Sequence, residues 1–205
     1  MKSAMEMAVL LLLCFSVFGG CYEWQKDVTI DGVHFGKVRH TESGNIIGFL
    51  DSNVVIDGFR CAKGWVHLYE DRSLLRFTLY DAATIQGNTL PEKSWVTLDP
   101  KGRLMRCAYP EDIQVQGYVC KGTGGPGGVM TGFYESGKLQ SFFSPKNIEV
   151  QGVLCKGGGL NPIFLHESGQ LKTCTVAKSK MIQGRTVEKG QKVVFDIQGK
   201  IISVK

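Results

Sequence analysis

One phrase recurs six times along this chain and limits what it can fold into. Two β-favouring residues in alternation lead to a glycine at Gly32, Gly58, Gly87, Gly117, Gly152 and Gly184. A second glycine closes a turn phrase such as Glu-Ser-Gly at Gly44, Gly102, Gly137, Gly169 and Gly199, with Arg72 in that slot of the second repeat. The step from turn to next phrase is 14 residues once and 15 four times, whereas the step from phrase to turn varies from 12 to 20. One half of the unit is fixed and the other takes up the insertions. A unit of about 30 residues cannot bury an apolar face alone, so it must stack on its neighbours.

Aligned on the turn slot, the units show strand periodicity. Six and four residues before it stand Val66 and Leu68, Val96 and Leu98, Ile163 and Leu165, Val193 and Phe195. Alternation with a period of two, running into a tight turn, marks a half-buried strand. Two and five residues after the slot come Leu74 and Phe77, Leu104 and Cys107, Leu171 and Cys174. The parity change predicts a bulge just past the turn. A further short strand ends two residues before each phrase glycine, at Ile30, Ile56, Ile85, Val115, Val150 and Ile182. No stretch of residues 21–205 carries helical periodicity.

The expected fold class is therefore all-β: six tandem repeats stacked as an elongated antiparallel hairpin sheet, with a β-solenoid as the rival. With its Glu-Ser-Gly-Lys-Leu hairpin, the region from Val28 to the C-terminus resembles MORN-type and related bacterial hairpin repeats, in tandem hairpin form and without the Tyr-x-Gly motif. His40, where other units place Leu or Phe, suits a polar end cap.

Residues 1–20 read as a signal peptide. Lys2 precedes an apolar run from Ala8 to Phe18 that is too short to span a bilayer. Phe18-Gly19-Gly20-Cys21 resembles a bacterial lipobox. That resemblance implies cleavage before Cys21 and acylation of Cys21, with residues 21–27 as a lipid-anchored tether and 28–205 as one β-repeat domain. Acyl chains would hold it firmly, at about 0.8 kcal/mol per buried CH₂. An ordinary signal peptide cut near Gly20 is the alternative. Tyr22 after the cysteine, rather than Asp, implies the outer membrane or cell surface by analogy with enteric lipoproteins.

The formal charge is +5, from 24 Lys and Arg against 19 Asp and Glu, and the basic residues are interspersed with acids. No basic run or arginine-rich stretch points to nucleic acid.

The seven cysteines do not read as a disulfide framework. Cys61, Cys120 and Cys155 share a slot with Phe35, Leu90 and Val187; Cys107 and Cys174 share one with Phe49, Phe77, Phe142 and Val204. A slot that accepts Phe, Leu or Val is a core slot, and a free cysteine acts there as a small hydrophobe. The alternative is one bridge between Cys120 and Cys155, in adjacent repeats. No metal-ligand spacing occurs. The four histidines fall at unrelated repeat positions, and no Ser or Cys nucleophile sits in a catalytic pattern, so no catalytic residue, metal or cofactor is expected.

Two features break the monotony. The glycine-rich loop 121–128, with Thr123, Gly124, Gly125, Gly127 and Gly128, is matched one unit later by the loop 156–162, with Asn161, and stacking sets the two side by side. Trp65 and Trp95 each lie seven residues before their turn slot, on the outward parity shared by His67, Tyr69, Met130 and Tyr134. Stacked, these would form a ladder of rings with polar edges, and exposed apolar patches mark contacts. The alternatives are tolerated flexible loops and a second core. The expected function is a non-catalytic, envelope-tethered binding or scaffold protein that contacts a cell-wall glycan, envelope component or protein partner. An inhibitor or immunity protein for an envelope enzyme or toxin is the second reading, and an envelope enzyme the third.

Overall fold

The strands follow one another with no helix between them in the computed structural model, which describes residues 23–122 and 128–205. The first unit is β1 (Gln25–Ile30), β2 (Val33–His40) and β3 (Ile46–Leu50); the second is β4 (Val54–Ile56), β5 (Phe59–Cys61), β6 (Gly64–Leu68) and β7 (Leu74–Thr78). The third is β8 (Ala83–Ile85), β9 (Asn88–Leu90), β10 (Trp95–Leu98) and β11 (Leu104–Ala108). The fourth is β12 (Ile113–Val115), β13 (Tyr118–Cys120), β14 (Thr131–Phe133) and β15 (Leu139–Phe143). The fifth is β16 (Ile148–Val150), β17 (Val153–Cys155), β18 (Pro162–Leu165) and β19 (Leu171–Thr175). The sixth is β20 (Lys180–Ile182), β21 (Arg185–Val187), β22 (Lys192–Phe195) and β23 (Ile201–Val204).

The longer strands form one open antiparallel sheet of 13, ordered β1-β2-β3-β6-β7-β10-β11-β14-β15-β18-β19-β22-β23. At about 4.8 Å per strand it is roughly 58 Å across. This is the elongated hairpin sheet, and the sheet does not close. The short element turns out to be two three-residue strands rather than one. β4-β5, β8-β9, β12-β13, β16-β17 and β20-β21 are separate hairpins within the crossovers between long strands.

The phrase glycine makes those hairpins. Asp57 and Gly58 have φ of 49° and 80°, and Gln86-Gly87, Gln116-Gly117, Gln151-Gly152 and Gln183-Gly184 repeat the pattern. Positive φ at both central residues is the two-residue turn whose twist suits flanking strands. The long hairpins turn differently. The N–H of Arg72 donates to Tyr69 and that of Tyr69 to Ser73, with Arg72 at φ 71°. Register shifts follow at His67/Leu68, Thr97/Leu98, Gly132/Phe133, Phe164/Leu165 and Val194/Phe195. These are the bulges that the parity change predicts.

Each bulge frees a backbone N–H, and a side chain from the short hairpin of the same unit accepts it. Asp57 accepts from Leu74, Gln86 from Leu104, Gln116 from Leu139, Gln151 from Leu171 and Gln183 from Ile201, at 2.7 to 3.0 Å. A second tie joins units. The Tyr69 hydroxyl donates to the Leu98 carbonyl and that of Tyr134 to Leu165, each at 2.8 Å, and His166 Nε2 donates to Phe195 at 3.0 Å.

One core runs between the sheet and the row of short hairpins. Its sheet side includes Val66, Phe77, Val96, Cys107, Phe142, Ile163, Cys174 and Val193, each at most 1% exposed. Ile56, Cys61, Ile85, Leu90, Cys120, Cys155 and Val187 close it from the hairpin side. The rings of Phe59 on Phe77 and Tyr118 on Phe142, 5.4 and 5.0 Å apart, show hairpin packed on sheet. Cys61, Cys107, Cys120, Cys155 and Cys174 are free thiols in this core, as their shared slots require. Burial pushes the thiols of Cys61, Cys107 and Cys120 up to about 12 and raises that of Cys155, where hydrogen bonding with Cys174 is the larger cause. Such thiols are poor nucleophiles at neutral pH.

The first unit is built as an end. β2 alone serves as both short and long strand, pairing with β1 through Val33 and Phe35 and with β3 through Val38 to His40. His40, opposite Ile46, is exposed there.

Candidate functional site: the open face of the sheet

The hairpins cover one face of the sheet; among the described residues no element covers the other. Two rows of side chains cross that open face. The first follows the pairings Lys26–Lys37, Lys37–Phe49, Phe49–Trp65, Thr78–Trp95 and Trp95–Ala108. Continuing the register past Ala108 brings Met130, then Phe143 and Pro162. The second row follows Arg39–Ile47, Ile47–His67, His67–Arg76, Arg76–Thr97, Thr97–Arg106 and Arg106–Gly132. Neither row contains an Asp or Glu.

The expected ladder is only partly formed. Trp65 is 46% exposed and Trp95 half-buried, both on the open face. They stand two strands apart, about 10 Å. Trp65 instead packs on Trp24, with centroids 5.4 Å apart, and on the edge of Phe49 at 5.2 Å. Lys37 Nζ lies 5.0 Å from the Trp65 centroid and 5.1 Å from that of Trp24, and the Arg39 guanidinium lies 4.9 Å from Trp24. Arg76 sits 5.6 Å from Trp95. A cation over an indole face gains about 0.5–1 kcal/mol at an exposed site.

His67 lies between these cations. Burial first, then Arg76 and Arg39, holds its imidazole below the ordinary 6.5. Tyr69 and Tyr134 are half-buried ties between units, so their hydroxyls are already engaged. Met130 is half-buried in the Trp95 row.

Cys21 and Thr123, Gly124, Gly125 and Gly127 lie outside the described residues. Gly128 and Asn161 are half-buried, just ahead of the strands β14 and β18. The described glycines of these loops answer to packing. A Cβ on Gly122 would overlap the backbone of Glu111, and one on Gly157 that of Lys146. Their N–H groups donate to Asp112 and Asn147, as that of Lys63 donates to Asn53 in the second unit.

Sequence reasoning missed Trp24, Lys37, Arg39 and Arg76 as members of this cluster, and it placed Phe49 in the core slot of Cys107; the β2-β3 hairpin has no register shift after its turn, so Phe49 faces outward onto Trp65 instead. Their signal was the shared parity with Trp65 and His67 across neighbouring strands, which needs the register.

A groove of about 440 Å³ lies between the hairpins β8-β9 and β12-β13, lined by Ala82, Asn88, Pro91, Ile113 and Gln116 among others. No Asp, Glu, His, Cys, Lys or Arg lines it. Among the described residues no three His, Cys, Asp or Glu side chains gather as metal ligands. Compared with known proteins, the chain matches no family model and no curated protein.

Proposed function

We propose that this chain is a non-catalytic binding lipoprotein of the bacterial envelope, exported by residues 1–20 and held by an acylated Cys21 at the outer membrane or cell surface. Its contact surface is the open face of the sheet, which meets a glycan, envelope component or protein partner. The observation that supports the contact surface is the asymmetry of the sheet: one face is closed by hairpins, and the other presents Trp24, Trp65 and Trp95 with cations on their rings. Partly exposed aromatic clusters on rigid strands suit recognition, since little side-chain entropy is lost on binding.

Two measurements test the reading. Metabolic labelling with a fatty acid should mark the wild type and not Cys21→Ala; equal absence of label in both removes the anchor. Trp65→Ala with Trp95→Ala should abolish retention on isolated cell envelope while thermal unfolding stays nearly unchanged. Unfolding of the double variant would make the rings structural and leave the face without a role.

A further inference from the structure

Three arginines elsewhere in this chain pair with carboxylates. Arg60 pairs with Asp81, Arg72 with Asp31 at 2.8 Å, and Arg103 with Asp99 at 2.6 Å and Glu135 at 2.7 Å. On the open face the cations do not. Lys37, Arg39, Arg76 and Arg106 have no ion-pair partner among the described residues, and both rows lack acids from the first strand to the middle of the sheet. These two rows therefore present Lys37, Arg39 and Arg76 beside indole and imidazole rings, with no acid within the rows. Burial first, and then Arg76 and Arg39, hold the His67 imidazole below its ordinary value, so the two guanidinium groups act on it together.

The rings lie within this charge. Lys37 stands over two indoles at once, 5.0 and 5.1 Å from their centroids, and so holds them in one arrangement. From Lys37 through Phe49, Trp65 and Thr78 to Trp95, the row crosses four strand spacings, about 19 Å. Such a row fits a linear chain lying across the strands better than a compact molecule. A sugar ring offers C–H faces that pack on indole, and a uronic-acid sugar adds a carboxylate that pairs with Arg or Lys. The rings of this patch carry cations on their faces, which argues against burial in a bilayer. The most exposed apolar side chains, Leu160, Met181 and Ile202, lie on other parts of the chain.

We infer that the patch formed by Trp24, Lys37, Arg39, Trp65, Arg76 and Trp95 binds an acidic polysaccharide, its sugar rings on the indoles and its carboxylates on the cations. This rests on the reading above that the open face is the contact surface. It narrows that reading to one class of ligand and one end of the sheet.

The test is titration of the purified chain with oligogalacturonate, with the same oligomer fully methyl-esterified and therefore neutral, with phosphatidylglycerol vesicles and with oligothymidylate. The acid should bind, and the ester should bind about tenfold more weakly, or worse, for each charge-assisted hydrogen bond it cannot make. Lys37→Gln and Arg76→Gln should weaken the acid and leave the ester unchanged, whereas Trp65→Ala should weaken both. Wild-type affinity for the acid in Lys37→Gln and Arg76→Gln overturns the inference, as does equal binding of acid and ester. Vesicles or oligothymidylate binding as tightly as the acid overturns it in favour of a general anion surface. Envelope retention separates the two levels. Retention that depends on Trp65 and Trp95 without preference for the acid sinks the ligand class alone, and loss of both binding and dependence sinks the contact surface too.

Discussion

Gln116 fastens Leu139: its Oε1 accepts the Leu139 N–H at 3.0 Å, and its Nε2 donates to the Gly137 carbonyl at 2.9 Å. The N–H that the bulge removes from the ladder is thereby satisfied from the other layer of the unit. Removing the acceptor leaves a partly buried donor unpaired, at about 1–3 kcal/mol. Gln116→Ala should therefore lower unfolding stability by about 1–2 kcal/mol in urea, allowing for the exposure of the side chain. Gln114→Ala, two residues away and exposed, should stay within about 0.5 kcal/mol. Equal effects would deny the clamp.

Two tyrosines should respond in opposite directions to loss of the hydroxyl. Tyr134→Phe removes the tie to Leu165 and should destabilise by about 0.5–1.5 kcal/mol. The Tyr109 hydroxyl is buried and meets only the Cys107 thiol, a weak partner, so Tyr109→Phe should be neutral or stabilising. Parallel thermal unfolding of the two variants checks the signs.

The turn slots should rank by what surrounds them. Gly137 has φ 80°, and a Cβ there would lie 2.8 Å from the Gln86 carbonyl oxygen; at Gly102, φ 74°, it would meet nothing within 4 Å. Gly102→Val should cost about 1–3 kcal/mol from backbone strain alone, and Gly137→Val distinctly more. Arg72→Gly should be nearly neutral, because relief of φ 71° offsets the missing ion pair with Asp31. Chemical denaturation of the three variants gives the order.

Stability should fall at alkaline pH. The folded thiols of Cys61, Cys107 and Cys120 titrate near 12, against an ordinary 9.0. A raised folded value means that the unfolded chain loses these protons first, so the contribution is complete below about pH 9 and disappears as pH rises toward 12. Cys107→Val should flatten this dependence and cost under about 1.5 kcal/mol at neutral pH. Under denaturant without reductant, alkylation should find all five core thiols reactive; two or more bridges in the mass spectrum would refute the free-thiol core.

His67 should titrate below 6.5 in the folded protein. With the folded value depressed, its contribution to stability is present above 6.5 and is lost as pH falls through the folded value. Imidazole chemical shifts measure it directly. Arg76→Gln should move the value back toward 6.5, and an unmoved value would remove Arg76 from the cause.

The strands, bulges and core slots were legible because they depend on local rules that the repeat states several times. Val66 and Leu68 are buried by period-two alternation, and Cys61 by the company of Phe35 and Leu90 in its slot. The second short strand was less visible, since three residues such as Phe59–Cys61 carry almost no periodicity. Its signal lay in the residue before each phrase glycine: Asp31, Asp57, Gln86, Gln116, Gln151 and Gln183 are all Asp or Gln. From Asp57 to Gln183 the carboxylate or amide oxygen just before the turn glycine reaches the bulge of its own unit, whereas Asp31 pairs with Arg72. Trp65 was recognisable as outward, but its neighbours were not, because Trp24, Lys37 and Phe49 reach it through the register of β2 and β3 rather than through repeat alignment.

The long sheet can also assemble in chain order. Every strand pairs with strands close to it in sequence, and a broad register such as Arg106 with Gly132 spans only 26 residues. Contacts this local need little loop closure and favour fast assembly. A chain that emerges N-terminus first can dock each unit on the edge left by the one before, without waiting for its own C-terminus. The cationic indole cluster belongs to the first three units, so its formation does not depend on the C-terminal units.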